Sequence, residues 1–395
     1  MLDANAPDFP VWMDSSDCDI AAFRLHVAQQ TDAAHYPHSA EIAKQIPVYD
    51  GHRLRAALDD QATIRAIMAE WNRSFRSGPG IVAIRAGYAD TALIDDVTAV
   101  LSDIIDDEAR GGAGKGDHFA GAGMNSRVWN AHEKLGVRAP ELYARYNANQ
   151  ILRMVAEAWL GPAYQVTAQV NVVRPGGKAQ TAHRDYHMGF QTVETLKCYP
   201  ASQHALSAAL TLQGAIAHST MPIDAGPTKL LPYSQSYLPG YLAVHMPEFR
   251  ACFEENHVQL PLEKGDMMFF NPATFHAAGD NRTSDAHRFA NLLQIGSAYG
   301  RSIEIVDRVR LSRAVYQALL DLQSSGALTA REVDAVVAAT AEGYPFPANL
   351  DIDSPLSGMA PPSQQDILRQ ALAEGWTQDR LAGELGAQSD RKRSH

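Results

Sequence analysis

The hydrophobic pattern of this chain changes its period near residue 164, and that change restricts the folds open to it. Upstream, apolar residues in 53–76 and 91–107 recur at spacings of three and four, which predicts amphipathic helices. From Tyr164 to Val173 apolar and polar residues alternate instead, as in a half-buried strand. Further short strand candidates follow at 205–216, 228–232, 257–262, 266–271 and 287–299. Many short strands separated by Gly and Pro turns favour a barrel or a double-sheet jelly roll.

Helical patterns return after residue 308. The segments 309–323 and 363–386 are predicted helices, and Thr329 to Glu332 is a capping-box pattern ahead of an apolar run. Residues 343–362 are rich in Pro, Gly and Ser and are predicted to form a linker. The predicted regions are an N-terminal helical region packing on the core (1–150), a β-rich core (151–308) and a C-terminal helical extension with a polar tail (309–395).

The composition argues against several classes of partner. The chain has a formal net charge of −11, which disfavours binding to nucleic acid or to anionic membranes. A weak helix-turn-helix pattern in 361–390 carries five acids and two arginines, so it lacks attraction for phosphate. A helical cap or a homodimer contact is the alternative interpretation of this segment. No apolar stretch is long enough to cross a membrane.

The cysteines and the N-terminus predict a cytoplasmic protein. Cys18, Cys198 and Cys252 are far apart and form neither a CxxC zinc pattern nor a dense disulfide framework. The first twenty residues carry acids where a signal peptide would carry basic residues, and no long apolar run follows them.

Three residues in the strand-rich half form a candidate metal site. Side chains at positions i and i+2 of a strand share a face, so His183 and Asp185 are expected to project side by side. His276 follows a predicted strand and supplies a third ligand. Two histidines and one carboxylate leave three coordination positions open, which is the arrangement of non-haem iron(II) oxygenases. Taken alone, His183 and Asp185 are equally compatible with a surface pair on an edge strand.

Arg288 is the candidate anchor for a cosubstrate. It lies twelve residues after His276 and opens the strand candidate that ends at Gly296. The planar guanidinium matches a carboxylate with two parallel hydrogen bonds. Near the metal it would bind the distal carboxylate of 2-oxoglutarate, whose other end would chelate iron(II), with dioxygen in the last position.

Other motifs have less specific interpretations. His187 lies two residues beyond Asp185 and is either a rival ligand or a residue that lines the pocket. The glycine-rich segment 111–116 lacks the spacing of a phosphate-binding loop. Residues 117–130 are interpreted either as a lid over the substrate or as a helix start packed on the barrel.

The segment from Tyr164 to Ser302 resembles the phytanoyl-CoA dioxygenase family. The motifs that carry the resemblance are Arg174-Pro175-Gly176, Gln180-x-x-His183-x-Asp185, Gly226-Pro227-Thr228 followed by Pro232 and Ser234, His276, Gly279-x-Asn281-x-Thr283 and Arg288. The resemblance implies a double-stranded β-helix core, iron held by His183, Asp185 and His276, and Arg288 as the 2-oxoglutarate anchor. Gln180 and Thr228 are further candidates for contacts near the cosubstrate.

The sequence therefore predicts a mainly β protein with flanking helices, acting as an iron(II)- and 2-oxoglutarate-dependent dioxygenase on a small organic substrate. Hydroxylation is the expected outcome, and desaturation, cyclisation or epoxidation are open alternatives. Two rival functions remain. One is a cupin-type metal dioxygenase that does not use 2-oxoglutarate, although the HxH pattern of cupins is absent. The other is a barrel that binds a small molecule without catalysis.

Overall fold

Most of the strands of this protein belong to one large sheet. A computed structural model describes residues 10–111, 125–354 and 360–393. The strands within these ranges are β1 (Glu41–Ala43), β2 (Ile46–Asp50), β3 (Ile81–Arg85), β4 (Asn125–Val128), β5 (Gln165–Val173), β6 (Thr211–Ala217), β7 (Lys229–Leu230), β8 (Met267–Phe270), β9 (His276–Ala277) and β10 (Arg288–Gly296). Eight of them form the major sheet in the order β1-β2-β3-β8-β6-β10-β5-β4.

A smaller sheet completes the barrel. It consists of β7 and β9, extended by isolated bridges between His183 and His276 and between Leu230 and Val258. The minor sheet therefore consists of four neighbouring segments. In order, these are the segment around His183, β9, β7 and the segment around Val258. From β5 to β10 the chain passes repeatedly between the two sheets, with β5, β10, β6 and β8 as neighbours in the major one. Two facing four-stranded sheets with this order form a double-stranded β-helix, the predicted jelly roll.

Helices pack around the barrel, and most of them cover the outer face of the major sheet. Within the described ranges they are α1 (Ile20–Val27), α2 (Gly51–Ala56), α3 (Gln61–Ser77), α4 (Thr91–Arg110), α5 (Ala131–Arg138), α6 (Pro140–Asn147), α7 (Gln150–Leu160), α8 (Val193–Leu196), α9 (Ala201–Ala209), α10 (Gly240–Ala243), α11 (Pro247–Asn256), α12 (Arg308–Ser324), α13 (Ala330–Thr340), α14 (Gln364–Glu374) and α15 (Gln378–Arg391). The largest apolar cluster joins Val170 and Leu293 of the sheet to Trp71 of α3 and Tyr316 of α12. This cluster is the main core, and it lies outside the barrel. Helices α1, α10 and α11 share a smaller apolar cluster with Leu231 and Phe275 on the minor-sheet side.

Several local predictions are confirmed because the signals that carry them are short in range. The capping box at Thr329 and Glu332 is present at the start of α13. Helices α4 and α12 occupy the predicted segments 91–107 and 309–323 with bounds shifted by one to three residues. Strand β10 matches the candidate at 287–299.

Other local predictions are wrong. The single helix predicted for 53–76 is two helices, because the turn after α2 ends at Asp60, whose carboxylate caps α3 by accepting from the backbone of Ala62 and Thr63. The strand predicted for 205–216 begins only at Thr211, after the end of α9. The segment 257–262 forms isolated bridges and no strand.

The N-terminal region is more than a set of helices. Strands β1 to β3 extend the major sheet beyond β8, and β4 pairs with β5 across the predicted boundary at residue 151. The sheet is therefore continuous between the first two predicted regions. The division at residues 150 and 308 stays a prediction.

Candidate metal centre and its cavity

The minor sheet places His183 and His276 directly opposite each other. The backbone N–H of His183 donates to the carbonyl of His276 at 3.0 Å, and the reverse bond is 3.1 Å. The two imidazole rings lie with centroids 4.4 Å apart. Asp185 lies two residues further along, where its backbone N–H donates to the Pro272 carbonyl at 3.0 Å. One ligand atom from each of the three residues lies within 4.8 Å of the others.

Both histidines present the same nitrogen to the site. The Nδ1–H of His183 donates to the Thr181 carbonyl at 2.9 Å, and the Nδ1–H of His276 donates to the Thr274 carbonyl at 2.8 Å. A carbonyl only accepts, so the proton sits on Nδ1 and the lone pair on Nε2. Nε2 of His183 and of His276 lie 3.7 Å and 3.4 Å from the two carboxylate oxygens of Asp185. A fixed tautomer of this kind is what a metal-binding histidine needs.

The Asp185 carboxyl is held in its charged form. Burial alone would raise its pKa, but His276, His183 and Gln213 around it hold the pKa below its usual range. Gln213 donates its Nε2–H to Oδ2 of Asp185 at 2.5 Å. Burial, together with the neighbouring His276, lowers the pKa of His183. The site therefore offers one ionised carboxylate and the neutral imidazole of His183 at neutral pH, with Nε2 of His276 beside them.

The three residues line a cavity of about 530 Å³ enclosed by both sheets. The other predicted site residues, Arg288 and Gln180 and Thr228, line the same cavity. The backbone N–H of Gln180 donates to the Ala278 carbonyl at 3.0 Å, and its side-chain Oε1 accepts from the Ala278 N–H at 3.2 Å. The structure thus brings every predicted site residue to one cavity, and their roles there stay predictions.

Arg288 is a buried cation. It is 6% exposed, and within the described residues its guanidinium makes one hydrogen bond, a long one of 3.4 Å from Nη1 to the carbonyl of Gly279. No acidic side chain of the described residues forms an ion pair with it. Burial lowers the pKa of Arg288 to about 10, so it remains charged at neutral pH. A buried charge without a counter-ion is unfavourable unless a ligand supplies one.

Several candidates from the sequence have other roles. His187 bonds through Nε2 with the carbonyl of Arg301 at 3.1 Å and is not part of the metal-ligand group. Arg184 is 2% exposed, donates to the carbonyls of Ser234 and Tyr237, and lies over the ring of Tyr241 at 4.9 Å. Its contacts hold the wall of the barrel together.

Two lysines close to the metal-site motifs, Lys178 and Lys229, do not line the cavity. Lys178 is exposed, and Lys229 forms an ion pair with Glu254 at 2.7 Å. The glycine-rich segment 111–116 and the start of the lid candidate 117–130 lie largely outside the described residues. Of the latter segment, Arg127 and Trp129 line the cavity, and α5 begins directly after it at Ala131, so both interpretations of the segment stay open.

Sequence reasoning missed four amide side chains that line the inner face of the major sheet. They are Gln169, Asn171, Gln213 and Gln294. The polar side of β5 was interpreted as a solvent face, but nearly the whole strand is buried and this side faces the cavity. A signal was present, because the polar residues of β5 are uncharged, whereas a solvent face usually carries charges.

A double-stranded β-helix that presents two histidines and a carboxylate to an internal cavity defines the class of mononuclear metal oxygenases. The family model of phytanoyl-CoA dioxygenase (PhyH) matches residues 78–290, more than half of the chain. The chain belongs to this family.

Solved structures give looser matches. The non-haem α-ketoglutarate-dependent epimerase SnoN from nogalamycin biosynthesis is 19% identical, with a TM-score of 0.40 over 60% of this chain and 84% of its own. The carbocyclase SnoK from the same biosynthesis is 18% identical, with a TM-score of 0.41 over 58% and 83%. Likeness at this level does not transfer a reaction. A comparison with curated protein sequences found no match.

None of the described helices is long and apolar enough to cross a membrane. The cytoplasmic location and the homodimer stay predictions.

Proposed function

We propose that this protein is an iron(II)- and 2-oxoglutarate-dependent dioxygenase that hydroxylates a C–H bond of a small organic molecule. The observation that carries the proposal is the presence, in one cavity, of the His183, Asp185 and His276 group and the buried Arg288. Membership of the phytanoyl-CoA dioxygenase family supports the same function.

The donor set fits iron(II). Two imidazole nitrogens with fixed tautomers and one ionised carboxylate suit a divalent first-row metal, and three protein ligands leave room for a cosubstrate and dioxygen. His183 and His276 would bind through Nε2, because their Nδ1 protons are engaged by the carbonyls of Thr181 and Thr274. Asp185 would bind as a carboxylate, which Gln213 orients through its hydrogen bond to Oδ2.

The cavity also fits a dicarboxylate. Among the described residues, the Arg288 guanidinium donates only the long bond to the Gly279 carbonyl, and Arg288 lines the cavity. A carboxylate would supply the counter-ion that the described surroundings of Arg288 lack, through two parallel hydrogen bonds to the guanidinium. The turn at Gly226, with φ of 71°, packs against Asp280 so closely that an added Cβ would lie 2.3 Å from its carbonyl oxygen. The same packing holds Gly226 against Gly279, whose carbonyl accepts the hydrogen bond from Arg288.

With both groups bound, such a centre lets dioxygen oxidise a C–H bond while 2-oxoglutarate leaves as succinate and carbon dioxide. The protein orients the reactants and limits the access of water. The residues His183, Asp185 and His276 hold the metal, Arg288 fixes the cosubstrate, and the amides of the major sheet face the remaining space.

The test is succinate production from 2-oxoglutarate with added iron(II), together with the iron content of the purified protein. The wild type is expected to bind one iron and release succinate, and His183→Ala is expected to lose both. His187→Ala is the matched control, because this nearby histidine does not belong to the metal-ligand group. A wild type that binds no iron and releases no succinate would contradict the proposal. Bound iron with turnover that does not need 2-oxoglutarate would favour the cupin-type alternative.

A further inference from the structure

The cavity carries a set of buried amides that the proposed metal and cosubstrate contacts do not fully use. Gln213 on β6 and Gln294 on β10 are cross-strand partners, and β10 also pairs with β5, which carries Gln169 and Asn171. All four side chains are at most 8% exposed and line the cavity. Partners in an antiparallel ladder point to the same face, so the amides form one polar area on the inner face of the major sheet.

Gln213 has one end that is engaged and one that is not. Its Nε2–H must point at Asp185, because an ionised carboxylate only accepts hydrogen bonds. Its Oε1 is therefore the acceptor, and that atom is buried with no hydrogen-bond partner among the described residues. Gln213 thus contacts the candidate metal ligand with one end of its amide and keeps an unpaired oxygen at the wall of the cavity.

Two neighbouring amides have the same property. Oε1 of Gln294 and Oδ1 of Asn171 are buried without a hydrogen-bond partner in the part of the chain that the structure describes. Gln169 differs, because its Oε1 accepts from Nη1 of Arg127 at 2.9 Å. A buried acceptor left unpaired costs about 1–3 kcal/mol, so three of them on one wall are a strong reason to expect a ligand with hydrogen-bond donors.

The charged residues and the exposed apolar residues that line the cavity restrict the kinds of ligand that it can bind. Asp185 is the only acidic side chain among the described residues that line the cavity, and it belongs to the candidate metal site. A cationic group would therefore find no carboxylate of its own. The apolar side chains of Trp129, Phe190 and Ile303 line the cavity and remain exposed, which suits an apolar body.

We propose that the substrate is a molecule without a cationic group that has an apolar body and hydroxyl groups near the reacting carbon, and that Gln213 and Gln294 determine this specificity by accepting hydrogen bonds from those hydroxyls. The inference rests on the proposed function, because it takes the metal-bound cavity as the reaction site. Gln213 has two roles in it: it positions Asp185 through Nε2 and accepts from the substrate through Oε1. Gln294 has the second role alone.

The experiment measures ligand binding to zinc-loaded protein with 2-oxoglutarate, in which no turnover occurs. The probes are a decalin diol, its dimethyl ether and a decalin amine, compared by calorimetry. The wild type is expected to bind the diol about ten-fold more tightly than the ether, because the ether leaves the amide oxygens unpaired. Gln294→Met is expected to abolish this preference without changing the affinity for zinc. Gln213→Met is expected to abolish it and also to weaken zinc binding by about 10–100-fold.

Gln165→Met is the matched control. Gln165 lies on β5 outside the cavity, donates to the carbonyl of Ser297 at 3.0 Å, and undergoes the same chemical change. The proposal is overturned if the diol fails to bind, if the ether or the amine binds as tightly as the diol, or if the preference survives both cavity substitutions. A wild type that binds neither zinc nor 2-oxoglutarate contradicts the proposed function itself, and so identifies which of the two ideas has failed.

Discussion

The two faces of the major sheet are both buried, yet they are built from opposite chemistry. On the outer face Val170 and Leu293 pack against the helices in the main apolar core. On the inner face Gln169 and Gln294 line the cavity, and the buried Oε1 of Gln294 has no hydrogen-bond partner among the described residues. Burial of apolar area stabilises the fold, whereas burial of an unpaired amide costs free energy. The outer face therefore supplies stability, and our proposal assigns the polar inner face to ligand binding.

Loss of a candidate metal ligand should give the largest effect on the inner face. His183→Ala is expected to eliminate bound iron and succinate release, because one of three ligands is removed. The free energy of unfolding of the metal-free protein should change little, since His183 lies at the cavity and not in the main core. Metal analysis and urea denaturation measure the two quantities. A variant that loses stability but retains iron would contradict the assignment of metal binding to the inner face and of stability to the outer face.

Adjacent leucines of β10 compare the two faces directly. Leu293 is 2% exposed in the main core, whereas Leu292 points into the cavity. Leu293→Ala is expected to lower the free energy of unfolding by about 2–5 kcal/mol through a lost contact and a new void. Leu292→Ala should cost less than half as much, because its side chain already borders open space, and should change substrate KM instead. Equal destabilisation by the two variants in urea titrations would argue against the contrast.

Arg288 is expected to favour cosubstrate binding while lowering the stability of the ligand-free protein. Arg288→Met should weaken 2-oxoglutarate binding by about 30-fold or more, which is the effect of truncating one partner of a buried charge pair at about 2–5 kcal/mol. The ligand-free variant should be as stable as the wild type or more stable, since a buried cation without an acidic partner is removed. Calorimetry and thermal denaturation measure both effects. Arg288→Lys keeps the charge but lacks the planar guanidinium. Its affinity for 2-oxoglutarate should lie between those of the wild type and of Arg288→Met.

The smallest effect on stability is expected from the titration of His218, on the outer side of the major sheet. His218 is buried, bonds with Thr98 and Tyr146, and has its pKa lowered by burial to about 3. The unfolded chain takes up a proton on this ring below its ordinary pKa of 6.5, while the folded protein does not. The stabilisation is therefore present at neutral pH and is lost as the pH falls from about 6.5 towards 3.

Between pH 7 and pH 5 the loss from His218 amounts to about 2 kcal/mol. His218→Gln keeps a hydrogen-bonding side chain but does not titrate, so this part of the pH dependence should disappear. Urea denaturation at the two pH values provides the measurement. An unchanged pH slope in the variant would show that His218 is protonated in the folded protein.

The candidate site was more predictable from sequence than the sheet that supports it. His183 and Asp185 form a strand pattern two residues apart, and His276 and Arg288 follow at spacings that identify the family. Strands β1 to β4 were not predicted, because segments of three to five residues such as Glu41–Ala43 are too short to show an alternating pattern. The alanine-rich segment of α9 was interpreted as strand, since a short run that mixes apolar and polar residues does not separate the two periods.

The sequence by itself determined the helix caps, the change of period at β5 and the residue types of the candidate metal site, because these depend on chemistry within a few positions of the chain. Only the tertiary structure decided which side of β5 faces the cavity. It also decided that Gln213 reaches Asp185, that Arg288 has no acidic partner among the described residues, and that Arg184 belongs to the barrel wall. The reason is physical, because the local backbone geometry of a strand treats its two faces alike. Packing between segments far apart in the chain determines which face is exposed to a ligand.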